Sequence, residues 1–373
     1  MAHHLYETKE RHKRALLVSI NEKNSGRIGS VPVSDEKELR GLAETLELEI
    51  AGHEMVNVRD RQPKFGMGSG KAAELAELAA SLEVDFLVFD WEPSPSQHRN
   101  WEDLSGIPVL DRQELIIRIF AKRAATREAV LQVQLAQLHY RLPRLTHKYI
   151  DLAQQRGGHY GTRGAGETKL ETDRRTIERK IQQLEKDIEE VTKQRQVQRR
   201  QRQRQGLPVC AIVGYTNAGK SCLLNALTGS AVLVEDKLFA TLDATTRRFE
   251  PEPGMTVLLT DTVGFIRRLP HTLIKAFRST LEEAAHASLL IHVLDASDAN
   301  IQSCYTTTVG VLGELGAGAI PSVTVLNKID LLADTHTESI CLDFPEGIAV
   351  SAKNGKGLDT LQSCIADKIR SIE

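Results

Sequence analysis

Gly214, Tyr215, Thr216, Asn217, Ala218, Gly219, Lys220 and Ser221 follow the spacing GxxxxGK[ST]. Glycines let the backbone wrap closely around an anion, so that successive N–H groups and a helix N-terminus face phosphate oxygens. In that setting Lys220 reaches the β- and γ-phosphates of a nucleotide, and the Ser221 hydroxyl ligates Mg²⁺. The apolar run 209–213 precedes the loop, and a helix-forming stretch beginning with Ser221 and Cys222 follows it. That is the strand–turn–helix context this chemistry requires.

Three further clusters follow in order. Asp261 ends the apolar run 255–260 and is followed by Thr262, Val263 and Gly264. An acid at a strand end can hold a Mg²⁺-bound water, and the Gly264 N–H can meet a γ-phosphate. Asn327, Lys328 and Asp330 come after a second buried run, and Ser351, Ala352 and Lys353 after a third. The Asp330 carboxylate can accept N1–H and N2–H₂ of guanine together, whereas adenine would set a lone pair against it. The Lys328 stem can cover the base, and the Ala352 N–H can donate to O6. The four clusters predict a GTP/GDP site in which Lys220, Thr241 and Gly264 are catalytic and Ser221, Thr241 and Asp261 hold the metal. Thr241 lies with Phe239 in the segment 238–246, where a threonine can close on Mg²⁺ and the γ-phosphate; Thr245 and Thr246 are the alternatives. Position 265 is phenylalanine, where Ras-like enzymes carry a water-orienting glutamine. Intrinsic hydrolysis is therefore expected to be slow, with the water placed by other groups; the plainer reading is that Phe265 only packs.

Gly66, Met67, Gly68, Ser69, Gly70 and Lys71 form a second glycine-rich turn. Phe65 stands where a matching first glycine would be, and Ala72 replaces the metal-binding hydroxyl. The turn is not a phosphate loop of the same kind, although a glycine-rich helix entry can hold a phosphate. Residues 141–205 carry 17 Lys/Arg against 9 Asp/Glu in a chain whose net charge is −2. Such a segment fits a polyanionic partner such as nucleic acid, or else a solvated helix. Within it, five glycines in residues 157–166 argue against a regular helix and predict an exposed loop. His159 and Tyr160 can stack on unpaired bases there, with Arg163, Lys169, Arg174 and Arg175 as RNA-phosphate contacts.

The elements that must position these groups emerge from periodicity. The first part alternates apolar runs at 15–20, 55–58, 84–89 and 107–110 with helical stretches, one capped by Ser34 or Asp35 and carrying Leu39, Leu42, Ala43 and Leu46, another at 71–82. That alternation predicts a small parallel sheet with crossovers. Leu131, Leu135, Leu138, Leu142 and Leu145 then make one apolar seam, and Ile177, Ile181, Leu184, Ile188 and Val191 another. Two heptad-like helices separated by a linker suggest an antiparallel hairpin, with Pro143 ending or kinking its first arm. The segment 206–208 marks a boundary, after which strands and helices alternate to a last helix carrying Leu358, Leu361, Ile365, Ile369 and Ile372. The expected fold is α/β: an N-terminal parallel-sheet domain at 1–112, an antiparallel helical hairpin at 113–205 and a C-terminal Ras-like P-loop G domain at 206–373.

At 373 residues, 41% hydrophobic and 26% charged, the chain can bury ordinary cores, which excludes a disordered protein. Its apolar runs fall short of the ~18 residues that cross a bilayer, and the opening residues lack a secretory pattern. Five cysteines without a CxxC pair suit a reducing compartment. A cytoplasmic monomer with no membrane span is expected.

Several stretches coincide with one family. GSGKAAEL at 68–75, PSQHRNWE at 95–102, IFAKRA at 119–124, LQVQLAQLHYRLPRL at 131–145, GGHYGTRGAGETKLETDRR at 157–175, LFATLDATTR at 238–247 and DTVGF at 261–265 resemble the HflX family of ribosome-associated GTPases. The resemblance implies binding to the large ribosomal subunit and its rRNA, with the glycine-rich tip reaching toward the peptidyl transferase region. It further implies splitting or rescue of stalled ribosomes, and ATP at the N-terminal domain. Ala165 and Ala244 stand where the family commonly has proline. Some members carry a further C-terminal domain, whereas this sequence is expected to end with the last helix of the G domain. Two rival readings are a signalling switch whose hairpin docks a protein effector, and an ATP-dependent RNA-remodelling enzyme using residues 66–71.

Overall fold

The computed structural model describes residues 12–22, 33–148, 163–204, 206–230, 237–242, 244–267 and 283–372. The chain divides into two compact units, Met1–Ile119 with Pro143–Gly166, and Phe120–Leu142 with Glu167–Glu373.

In the first unit, β1 (Arg14–Glu22), β2 (Glu49–Val58), β3 (Phe86–Phe89) and β4 (Val109–Asp111) form an all-parallel sheet in the order β2-β1-β3-β4. The crossovers contain α1 (Val33–Thr45), α2 (Ser69–Ser81) and α3 (Pro95–Ser105); α1 and α2 fall where helices are expected, although Ser34 and Asp35 lie within α1 rather than at its cap. Strands buried on both faces tolerate continuous apolar runs, and Leu16, Val18, Leu87 and Phe89 pack into one core with Leu75 and Trp101. β2 is longer than its apolar stretch because its first half is only partly buried. α3 begins at a capping box: Ser94 Oγ accepts from the Gln97 N–H at 3.2 Å, and the Gln97 side chain accepts from the Ser94 N–H at 3.0 Å. At the carboxyl edge of the sheet, Arg112 pairs with Glu38 and, at 3.1 Å, with Asp90. Arg144 reaches the fully buried Asp111 at 2.8 Å.

Among the described residues, α4 (Arg112–Arg123), α5 (Arg127–Lys148) and α6 (Arg163–Arg204) follow in sequence between the strands of the two sheets, and they correct three expectations. Pro143 neither ends nor breaks α5, which runs on to Lys148. The proline lacks one N–H and sits exposed near the helix end, where water can satisfy the carbonyl it leaves unpaired. The leucine seam of α5 is largely half-exposed. Its buried side is instead Ala129, Gln132, Val133, Ala136 and Tyr140 together with Leu135, and the Gln132 amide donates to Glu128 at 3.1 Å. The polar character of Gln132 concealed that face. The glycine-rich stretch is not wholly a loop, since Gly164 and Gly166 lie in α6. Each glycine costs a helix about 1 kcal/mol, a penalty that a 42-residue helix rich in Glu, Lys, Arg and Gln can absorb. Residues 157–162 lie outside the described residues. The α6 seam does match expectation, with Ile181 buried and Ile177, Leu184, Ile188 and Val191 partly so.

The second sheet has the order β10-β9-β8-β5-β7-β6, comprising β5 (Val209–Gly214), β6 (Thr245–Glu252), β7 (Met255–Asp261), β8 (Leu289–Asp295), β9 (Ser322–Asn327) and β10 (Ile348–Ala349). All neighbours are parallel except β6, which pairs antiparallel with β7. Among the described residues, α-helices in this part of the chain include α7 (Lys220–Thr228), α8 (Ile301–Glu314), α9 (Asp334–Asp343) and α10 (Leu358–Arg370). α10 buries Leu358, Leu361, Ile365 and Ile369; Ile372, expected on that face, lies past the helix end and is exposed. Burial pushes the Cys210 and Cys304 thiols up to about 12. Among the described residues no helix is long and apolar enough to cross a membrane.

His292 on β8 is buried, with its ring stacked on Tyr305 at 5.1 Å. Burial, aided by the charge of Lys220, lowers it from 6.5 to about 4. Between those values the unfolded chain takes up a proton that the folded protein refuses, so stability should fall as pH drops through that window. His292→Phe keeps the ring stack and should flatten this dependence. Urea midpoints of both proteins across the window would check it, and identical slopes would contradict the assignment.

Candidate nucleotide-binding site

Parallel strands bring their carboxyl ends to one edge, where open α/β sheets bind ligands. β5 ends at Gly214, β7 at Asp261, β8 at Asp295 and β9 at Asn327, so residues scattered over more than a hundred positions converge there. Beside that edge lies a cavity of about 430 Å³ lined by Thr216, Asn217, Gly219, Lys220 and Ser221 of the phosphate loop together with Thr241, Gly264, Asn327, Asp330 and Ala352.

The glycines of the phosphate loop are demanded by contact. Gly214 has φ +149°, and a Cβ there would lie 2.2 Å from the Val293 carbonyl oxygen. Gly219 has φ +89°, and its Cβ would meet Asn327 Nδ2 at 2.3 Å. The loop is zipped to the chain after β7: the Phe265 N–H donates to Gly214 O at 3.1 Å, and the Thr216 N–H to Phe265 O at 2.7 Å. The Arg267 N–H donates to the Tyr215 hydroxyl at 2.8 Å. Phe265 is 1% exposed, so its side chain packs while its backbone braces the loop.

Lys220 Nζ donates to Tyr215 O at 2.8 Å. A Cβ on Gly264 would lie 2.8 Å from that Nζ and 2.8 Å from the Thr216 Cα, and the backbone clash requires glycine there. Ser221 Oγ donates to Asp261 Oδ2 at 2.6 Å and lies 2.7 Å from Thr241 Oγ1. Among the described residues Asp261 Oδ1 is buried with no hydrogen-bond partner, and burial raises the carboxyl above its ordinary range despite Lys220 nearby. An orphaned carboxylate oxygen beside two hydroxyls is a hard-oxygen set that fits Mg²⁺. Thr245 and Thr246 open the edge strand β6, and the Thr246 hydroxyl lies 3.0 Å from that of Thr260.

On the base side, the Asn327 amide donates to Ala218 O at 2.9 Å, while its carbonyl accepts from the Ala352 N–H at 3.0 Å. Ser351 Oγ donates to Asp330 Oδ1 at 2.6 Å. Lys328 takes φ +66°, and its Nζ pairs with Asp295 at 2.8 Å. Asp295 was missed in the sequence because a single acid after a strand carries no spacing signal. Lys237, Ala240 and Leu331 also line the cavity without a sequence cue, and Cys222, Phe239 and Lys353 join them as expected.

His159 and Tyr160 lie outside the described residues. Arg163 and Lys169 fall within α6. Arg174 and Arg175 are exposed on α6 and pair with Glu178 and Glu171. In the turn 66–71, Gly68 precedes α2, and Lys71 reaches along the helix to Glu74 at 3.0 Å.

Residues 34–121 match the GTP-binding GTPase N-terminal family, 123–202 its middle region, and 209–328 the 50S ribosome-binding GTPase family. The chain is 45% identical over 372 residues to the GTPase HflX of Akkermansia muciniphila, covering 96% of this chain and 85% of that protein. The chain belongs to the HflX family. A second HflX GTPase, from Caldanaerobacter subterraneus subsp. tengcongensis, is 45% identical over 355 residues, covering 95% of this chain and 80% of that protein. The fold is similar to a crystal structure of a GTP-binding protein from Sulfolobus solfataricus in complex with GDP. The TM-score is 0.50 at 24% identity, over 97% of this chain and 100% of the other. As an HflX member the protein is a GTPase.

Two outcomes follow from this geometry. Burial lowers the Lys220 ammonium to about 8, with Asp261 opposing and Lys328 assisting. A phosphate beside Nζ favours the charged form, so GTP affinity should be full below that value and weaken as pH rises through it. Calorimetry in buffers of different ionisation enthalpy should register proton uptake on binding. Asp330→Ala should reduce the preference for GTP over ATP at least about a hundredfold, and an unchanged GTP Kd would refute the base assignment.

Proposed function

We propose that GTP in this cavity holds the chain in a form that binds the large ribosomal subunit, that the bound protein splits or rescues ribosomes, and that hydrolysis to GDP releases it. The observation that carries this reading is the convergence of Thr241 on Ser221 and Asp261. It makes the order of the 238–242 segment depend on a metal and a third phosphate. The family description that matches residues 209–328, a 50S ribosome-binding GTPase, supports the choice of partner. So does the positive charge of residues 141–205, which suits rRNA phosphates through Arg163, Lys169, Arg174 and Arg175, with His159 and Tyr160 for unpaired bases.

In this scheme Lys220 and the loop N–H groups hold the β- and γ-phosphates, and the Gly264 N–H meets the γ-phosphate. Ser221, Thr241 and Asp261 hold Mg²⁺, which supplies charge neutralisation at the transferring group. Asp330, Asn327 and Ala352 select guanine. Phe265 has no group to orient water and is buried, so the attacking water is placed by another group and the ribosome completes the arrangement.

Large ribosomal subunits should therefore stimulate GTP hydrolysis strongly, and equal rates with and without them would overturn the proposal. Cosedimentation with the large subunit should be retained with a non-hydrolysable GTP analogue and lost with GDP. It should weaken steeply as salt is raised, as phosphate contacts do; binding indifferent to salt would point instead to hydrophobic docking on a protein.

A further inference from the structure

Phe239 stands two residues before Thr241 with φ +55°, a left-handed backbone that bulky side chains rarely adopt. Such a conformation persists only where the surroundings over-determine it. The Phe239 ring is 2% exposed and lies edge-on to Phe120, with centroids 4.7 Å apart and planes at 88°. That is a favoured aromatic arrangement, with the positive edge of one ring toward the negative face of the other. Phe120, itself 2% exposed, comes from α4. It falls in the stretch 34–121 matched to the N-terminal family rather than in the GTPase match at 209–328. It is also the first residue of the second compact unit.

We propose that Phe120 is a positioning residue for GTP hydrolysis: by seating the Phe239 ring it holds the left-handed backbone that delivers Thr241 to the metal and γ-phosphate. Were Phe239 to relax to a negative φ, a rotation of more than about 100° at one bond would carry the following chain away from Ser221. Thr241 Oγ1 now lies 2.7 Å from Ser221 Oγ, and that approach would be lost. GDP lacks the γ-phosphate that Thr241 serves, so its binding does not depend on this seat. The residue therefore separates GTP from GDP without touching either. The proposal rests on the assignment of Thr241 to the metal and γ-phosphate, and the experiment tests the two separately.

In the full chain, Phe120→Leu retains an apolar side chain but removes the ring, and Phe120→Ala removes more. Both should lower kcat for GTP and raise the Mg²⁺ needed for half-maximal rate, the leucine variant by about threefold to tenfold. GDP affinity should stay within about twofold if the seat acts only on the γ-phosphate side. Thr241→Ala should be slow by itself; if it hydrolyses GTP at the normal rate, the Thr241 assignment fails whatever Phe120 does. With Thr241→Ala slow, a normal rate in Phe120→Leu overturns the proposal, and so does an equal loss of GTP and GDP affinity. Adding Phe120→Leu to Thr241→Ala should cost nothing further, because the two act in series. A full additional loss would also overturn it. Should Phe120→Ala fail to fold, the leucine variant and the double variant still decide the matter.

Discussion

One side-chain amide ties the nucleotide site together. Asn327 donates to Ala218 O in the phosphate loop and accepts from the Ala352 N–H in the base loop. It is buried, so neither bond is shared with water. Gly219 has no Cβ because that amide occupies the space. Phosphate recognition and base recognition are thus not independent modules. Each loop is held in register by the same residue, at the end of a strand whose own position is set by parallel pairing with β8. Asp295, ending β8, extends the same framework by fixing the Lys328 ammonium.

Much of this was readable in the chain because the residues concerned must satisfy local and global demands at once. The phosphate loop announces itself by glycine spacing, and each downstream cluster follows an apolar β-run whose carboxyl end the topology delivers to one edge. The parallel sheet of the first unit was legible for a related reason: covered strands read as uninterrupted apolar stretches, as in β1 and β3. β6 escaped because it is an edge strand that buries only Phe249 and Pro251. A half-solvated edge needs little apolar pattern, and its Arg247 and Arg248 read as loop.

The middle of the chain was misjudged where composition and environment diverge. Gln132 is fully buried yet polar, and its bond to Glu128 makes burial affordable without leaving an apolar trace in the sequence. Gly164 and Gly166 are helical because a long run of good helix formers follows them. Neither the left-handed backbone of Phe239 nor its ring contact with Phe120 could be seen from spacing. Contacts between residues more than a hundred positions apart have no period to betray them.

The unequal burial of the thiols gives the molecule a built-in chemical contrast. Cys210 and Cys304, with pKa values pushed to about 12, are poor nucleophiles at neutral pH. Cys222 is only partly buried and borders the nucleotide cavity. Maleimide or isotope-coded alkylation would therefore discriminate by depth, and protection of one sulfur atom could serve as an internal gauge of occupancy without any added fluorophore.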